Sequence, residues 1–304
     1  MARSEFDRLL SERAIELGAD FWTDCRVKSV EFPADEPAVV SVQPETVSRA
    51  DSLSVKARLV IDATGQSCYL SNRMKLRQPD PQLQNGTLWT WFRGAERGAG
   101  RDAGATIIYS SQELRSWFWF IPLPDNVVSV GCTGPMDWMF EKGRSAEQTF
   151  ERELDRCPAL KRRLAEAYPI EPIRSTKDFS YRSSQCAGDR WVLIGDAYGF
   201  IDPVYSSGVF LAMKSAEMAA DAINRAISDD DLSAARLGSW QQEYDAGVQN
   251  FRSLVYAFYD PDFSFAAFIA KHPEYRDDLT DLLVGNVFKP NAGRMFESMK
   301  VAGK

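Results

Sequence analysis

The chain has 304 residues, 44% of them hydrophobic and 26% charged. That composition excludes a disordered or low-complexity protein and supplies ample material for a buried core. Thirty-six basic against 43 acidic residues leave a net charge of −7. An acidic chain gains no general attraction to phosphate backbones, so no nucleic-acid partner is expected.

In chain order, residues 4–18 are expected to form a helix. Ser4 is its expected cap, Phe6, Leu9, Leu10, Ala14 and Leu17 form its apolar stripe, and Gly18 is its stop. Strand patterns follow at 26–32, 38–43 and 54–61, the last becoming wholly apolar at its end. Aromatic and β-branched runs at 87–92, 105–109, 116–121 and 127–132 predict an antiparallel sheet. Residues 145–168 read as helix interrupted at Cys157-Pro158, and 174–181 as a short strand. A strong apolar strand at 191–194 leads through a glycine-marked loop to a small-residue helix at about 209–226. The stretch 234–285 is expected to be mostly helical, with breaks near Pro261 and Pro273.

Several chemistries find no footing. Five cysteines, at 25, 68, 132, 157 and 186, have no CxxC spacing, and His272 is the one histidine. Neither a metal centre nor a His-dependent nucleophile is expected, which leaves a bound cofactor as the source of chemistry. No apolar run reaches the roughly 20 residues that span a bilayer. The opening residues Met1–Asp7 lack a signal-peptide core, so a cytoplasmic protein is expected. The run Gly98–Ala103 matches a relaxed G-x-G-x-x-G pattern, but strand-like residues follow it. With no helix N-terminus to receive a pyrophosphate, it is expected to be a hairpin loop.

Two segments carry the functional expectation. In the first, the strand Trp191-Val192-Leu193-Ile194 ends in Gly195-Asp196, where α/β folds bind ligands. Asp196 is placed to accept hydrogen bonds from sugar-like hydroxyls, and Gly195 lets a ligand approach the backbone. Asp202-Pro203 makes a turn. Ser206-Ser207-Gly208 then exposes amides at the start of the next helix, an anion site by its N–H groups and dipole, though a simple capped turn would look the same. In the second segment, an apolar strand ends in Asp62-Ala63-Thr64-Gly65, which suits a ligand contact or an ordinary strand-end turn. The strand Trp117-Phe118-Trp119-Phe120-Ile121-Pro122 puts Trp117, Trp119 and Ile121 on one face and both phenylalanines on the other.

These segments, in this order and spacing, resemble the p-hydroxybenzoate-hydroxylase-like flavoprotein monooxygenases. The resemblance covers most of 1–226. The W-x-W-x-I-P run resembles, more narrowly, the signature of the flavin-dependent halogenases. The resemblance implies an α/β fold with an FAD-binding domain at 1–80 and 170–228 that lacks its first βαβ unit. It also implies an antiparallel-sheet substrate domain at 81–169 and a helical C-terminal region at 229–304. FAD would be contacted by Arg3, Asp62, Gly65, Gly195, Asp196, Asp202, Pro203 and Gly208. Chloride would lie near Ser207 and Gly208, with Trp117 and Trp119 walling the active site. Reduced FAD from a separate reductase, with oxygen, would oxidise chloride to halogenate an electron-rich aromatic ring. Tyr205 stands where tryptophan-directed members carry a glutamate, which points to phenol- or pyrrole-type substrates, some of them borne on carrier proteins. The family's catalytic lysine and its G-x-G-x-x-G cannot be placed in this sequence. A geranylgeranyl-reductase-like flavoprotein and a non-catalytic binding protein stay open as alternatives.

Overall fold

The structure, a computed structural model, describes residues 3–45, 52–177 and 179–302. Asp178, inside the expected strand 174–181, lies outside them, as do Met1 and Ala2. The elements in order are α1 (Arg3–Glu16), β1 (Cys25–Glu31), β2 (Ala38–Pro44), β3 (Leu53–Ala57), β4 (Val60–Asp62), α2 (Tyr69–Arg73), β5 (Arg77–Pro79) and β6 (Asn85–Arg93). Next come β7 (Ile107–Ser110), β8 (Trp117–Pro122), β9 (Val127–Pro135), α3 (Met136–Met139), α4 (Ala146–Asp155), α5 (Pro158–Arg163), β10 (Tyr168–Pro169) and β11 (Arg174–Lys177). The last stretch holds β12 (Tyr181–Ser183), β13 (Ala187–Gly188), β14 (Trp191–Leu193), β15 (Gly199–Phe200), α6 (Gly208–Ser228), α7 (Ala234–Leu237), α8 (Gln241–Tyr259), α9 (Phe265–Lys271), α10 (Arg276–Leu283) and α11 (Arg294–Ala302). They divide into two compact units, one of residues 3–23 and 84–177, the other of 24–83 and 179–302.

The first unit is built on an antiparallel sheet of order β10-β6-β9-β8-β7, with β11 also paired to β6. Strand alternation sends Phe118 and Phe120 to the face covered by α3, α4 and α5. There they join Leu88, Val128, Val130, Phe150 and Leu160 in the core, and Phe118 meets Phe150 edge-on at 5.8 Å. Each fully buried Phe contributes about 2–3 kcal/mol of transfer free energy. Trp117 and Trp119 share the opposite face, their rings 6.0 Å apart. Trp119 lies flat over Gly131, where a Cβ would stand 2.1 Å from the indole, so only glycine fits beneath it. The helical expectation for 145–168 resolves into α4 and α5 on either side of Cys157, with a Ser145–Gln148 capping box starting α4. The run Gly98–Ala103 enters a short 3-10 turn, Gly100–Gly104, and is followed by strand β7, with no α-helix. It is not a hairpin, because β6 pairs with β9 and β7 with β8.

Helix α1 departs from expectation in two ways. It starts at Arg3, so Ser4 lies in the first turn and does not cap it. Its apolar stripe is uncovered, with Leu9, Leu10 and Leu17 all exposed. The stop is as expected. Gly18 takes φ +98°, and the amides of Gly18 and Ala19 donate back to the carbonyls of Ile15 and Ala14.

In the second unit β1, β2 and β3 form an antiparallel sheet, and β15-β12-β5 form another. The single strand expected at 54–61 is two strands in different sheets. Its apolar end, β4, leaves the β3 ladder because it pairs parallel with β14, Leu193 opposite Asp62. Ile61, in that apolar end, is 48% exposed. Helix α6 buries Leu211, Ser215, Ala219, Ala222, Ile223 and Ala226, a stripe of helical period. Ala220, off that stripe, is exposed. In the helical C-terminal stretch α7 to α10 fall within 234–285, and α11 extends the helical content beyond it. Among the described residues no helix is long and apolar enough to cross a membrane.

The thiols give a check on this packing. Cys68, Cys132, Cys157 and Cys186 are buried, and Cys25 is half-buried. Burial pushes the buried four upward, Cys186 to about 12. Titration of the native protein with a thiol reagent at pH 8 is expected to modify Cys25 rapidly and the other four only on unfolding. Rapid modification of two or more thiols would contradict the packing.

Candidate functional site

The site begins with the parallel pair β4 and β14. Ile194 donates to the carbonyl of Asp62 at 3.0 Å, so the two strands end side by side. Each runs into a short 3-10 turn, Gly65–Ser67 after β4 and Gly195–Ala197 after β14. The leading glycines have φ +62° and +57°, a left-handed backbone that side chains resist. At Gly195 a Cβ would also press on the Ala212 methyl at 3.2 Å. The Gly195 amide donates to Ser215 Oγ of α6 at 2.8 Å, which ties the turn to that helix.

The two strand-end carboxylates take different roles. Asp62 is 4% exposed, and its oxygens accept from the amides of Thr64 at 2.9 Å and Leu70 at 2.6 Å. It holds its own turn and the start of α2. Asp196 is half-buried and lines a cleft with Gly195, Gly199, Ile201, Ser207, Gly208 and Leu211 among its walls. The enclosed space is only about 10 Å³, so the cleft is a narrow cradle.

Helix α6 opens on this cradle. Gly208 begins the helix after Ser207, no side chain caps it, and Ser206 before it takes φ +52°. The first turn therefore presents uncapped amides and the positive end of the dipole. Asp202 is 3% exposed, and its carboxylate accepts from the Val204 amide at 3.0 Å and from the Tyr259 hydroxyl at 3.1 Å. It fixes the turn from within the protein. Pro203 beside it is half-buried. Aromatics of α8 hold this turn in place. Tyr205 donates to the Leu254 carbonyl at 3.3 Å, and its ring meets Phe258 at 6.2 Å. Tyr256 donates to Asp80, which also carries the buried ion pair with Arg252.

Gly65, Gly195, Asp196, Asp202, Pro203, Ser207 and Gly208 thus fall within one unit, with Asp62 at the root of the first turn. Arg3, Trp117 and Trp119 belong to the other unit. Arg3 is exposed and pairs with Asp7 at 3.1 Å. Trp119 Nε1 donates to Ser129 Oγ at 3.1 Å. Sequence reasoning missed Tyr244, which lines the cleft and donates to the Leu211 carbonyl at 3.2 Å. Its one signal was the i, i+4 spacing from Trp240, which looks like ordinary helix packing.

A family model described as tryptophan halogenase matches residues 1–265. The chain is 29% identical over 302 residues to the 1H-pyrrole-2-carbonyl-[peptidyl-carrier protein] chlorinase of Pseudomonas fluorescens, covering 98% of this chain and 66% of that protein. It is 30% identical over 292 residues to the corresponding brominase of Pseudoalteromonas luteoviolacea, covering 94% and 69%. Among solved structures, the flavin-dependent brominase Bmp2 superposes with a TM-score of 0.88 at 27% identity, over 99% of this chain and 75% of that one. The chondrochloren halogenase CndH gives 0.76 at 29%, over 93% and 66%. The chain spans about two thirds of the length of these two curated relatives and about half that of others, such as the tryptophan 2-halogenase of Chondromyces crocatus.

Replacing Asp62 with Ala leaves the buried Leu70 amide and the more exposed Thr64 amide without their acceptor. This is expected to cost about 2–3 kcal/mol, a fall of several degrees in Tm by calorimetry. An unchanged Tm would mean that the carboxylate does not hold the turn.

Proposed function

The chain belongs to the tryptophan halogenase family of flavin-dependent enzymes, whose cofactor is FAD, and from that premise we propose that it binds FAD at the Asp196 cleft and halogenates an electron-rich aromatic ring. One observation carries the reading: a half-exposed carboxylate stands beside a left-handed glycine and an uncapped helix start in a single cradle.

The residues present fit the cofactor. Asp196 offers an acceptor to the hydroxyls of the ribityl stem or ribose, and Gly195 and Gly208 add no side chain to the cradle. At Gly208 a Cβ would press on the Phe200 ring at 3.2 Å. When bound and reduced, FAD supplies the electrons with which oxygen oxidises a halide. The protein's part is to hold groups in place. The uncapped amides at Ser207 and Gly208, with the dipole of α6, favour an anion there, which suits chloride and the reduced flavin alike. In this reading Asp62 and Asp202 act by fixing the two turns, Gly65 leaves its turn open to the ligand, and Pro203 shapes the approach to α6. Arg3 is assigned to cofactor binding on the family resemblance alone.

Trp117 and Trp119 serve as an apolar wall for the substrate ring, and two indoles on one sheet face exclude water from a reactive halogenating species. Pyrrole-type rings are the favoured substrates, because the two carrier-protein pyrrole halogenases align over nearly all of this chain. Tyr205 agrees with that branch. Its hydroxyl is engaged with the Leu254 carbonyl and its ring with Phe258. The substrate in this reading rides on a carrier protein, and a separate reductase supplies reduced FAD.

Two experiments test the proposal. The purified chain is expected to retain FAD, and Asp196→Ala to lower the affinity at least tenfold, read by quenching of flavin fluorescence; equal affinity would remove Asp196 from the site. Supplied with FAD, a flavin reductase, its nicotinamide donor, oxygen and chloride, the chain is expected to replace one ring hydrogen of a carrier-bound pyrrole by chlorine, read as the corresponding mass increase. Conversion independent of halide, or on free tryptophan only, would overturn the substrate assignment.

A further inference from the structure

Tyr181, in β12, is fully buried and takes no part in the reading above. Its hydroxyl donates to the backbone carbonyl of Asp196 at 2.7 Å. The Cys68 thiol lies 3.6 Å from that same oxygen and 3.6 Å from the carbonyl of Gly65. Cys68 itself takes φ +47° as it closes the Gly65–Ser67 turn. One small polar node therefore joins the backbones of the two turns that follow β4 and β14. The Arg77 guanidinium lies over the Tyr181 ring, 4.1 Å from its centroid, and fixes the plane of the phenol. Burial pushes both the phenol and the thiol above their ordinary pKa, so each keeps its proton at neutral pH and remains a donor.

We propose that Tyr181, with Cys68 as the bridge, is a positioning residue of the flavin site. By fixing the Asp196 carbonyl it sets the peptide from which the Asp196 side chain leaves, and through Cys68 it locks the Gly195 turn to the Gly65 turn. The cleft then meets its ligand preformed and loses little freedom on binding. The inference rests on the reading that Asp196 contacts FAD. It adds that the geometry of that contact is held from behind, by a hydroxyl that does not line the cleft.

The discriminating variant is Tyr181→Phe, which keeps the ring over Arg77 and removes only the donor. Wild type, Tyr181→Phe, Asp196→Ala and the double variant are titrated with FAD, and the Tm of each is recorded. Tyr181→Phe is expected to bind about tenfold more weakly, equivalent to ~1.4 kcal/mol. The double variant is expected to bind no more than twofold more weakly than Asp196→Ala alone, because the hydroxyl acts through Asp196. Affinity within twofold of wild type, or additive losses, would overturn the inference, since a merely structural role lowers Tm without that coupling. Cys68→Ala, which removes one arm of the node, is expected to fall between wild type and Tyr181→Phe. Amide hydrogen exchange without ligand reads the tie independently. Tyr181→Phe is expected to speed exchange at both 65–68 and 195–198, and unchanged exchange at 65–68 would overturn the inference. Failure of the wild type to bind FAD would instead overturn the preceding reading and leave exchange alone to decide this one.

Discussion

The site depends on the parallel pairing of two short strands, β4 and β14, which brings two turns from distant parts of the chain side by side. The same local pattern, an apolar strand followed by an acidic residue and a glycine, yields opposite outcomes at the two ends. At Asp62 the acid comes first and the glycine three residues later, so the carboxylate folds back and is satisfied by two amides. At β14 the glycine comes first. Gly195 turns the chain at φ +57° before the acid, and Asp196 is carried to the lip of the cleft. The position of the glycine relative to the acid thus separates a carboxylate folded back onto its own turn from one carried to the lip of the cleft.

The surroundings keep that arrangement rigid. Ser215 of α6 takes the Gly195 amide, and Tyr181 takes the Asp196 carbonyl. Asp202 is held by Tyr259 from α8, so the loop that delivers Ser207 and Gly208 to the start of α6 is braced from the C-terminal helices. The polar groups of the cradle walls are therefore mostly committed to protein partners. The cleft lining sets glycines, the start of α6 and the Asp196 and Asp202 residues beside Phe200, Ile201, Leu211 and Tyr244, a mix of polar and apolar groups suited to hydroxyls and anions at one end.

Much of this was legible in the sequence because it is local. The Trp191–Leu193 strand, the Gly195-Asp196 turn and the start of α6 follow from apolar runs, glycine and small residues. Alternation along β8 placed both tryptophans on one face and both phenylalanines on the other. The misses depend on distant partners. Nothing in the run 54–61 says that its second half leaves one sheet to pair with β14. Nothing in the α1 stripe says whether another element covers it, and Leu9 and Leu10 are exposed. The bond from Tyr181 to Asp196 joins residues on separate strands and has no sequence signature.

The most direct test of the central claim is hydrogen exchange of the chain with and without FAD. The account predicts protection concentrated at residues 195–199 and 206–211, with little change along the exposed strands β1 to β3. No protection at those two segments, or protection confined to other parts of the chain, would contradict it.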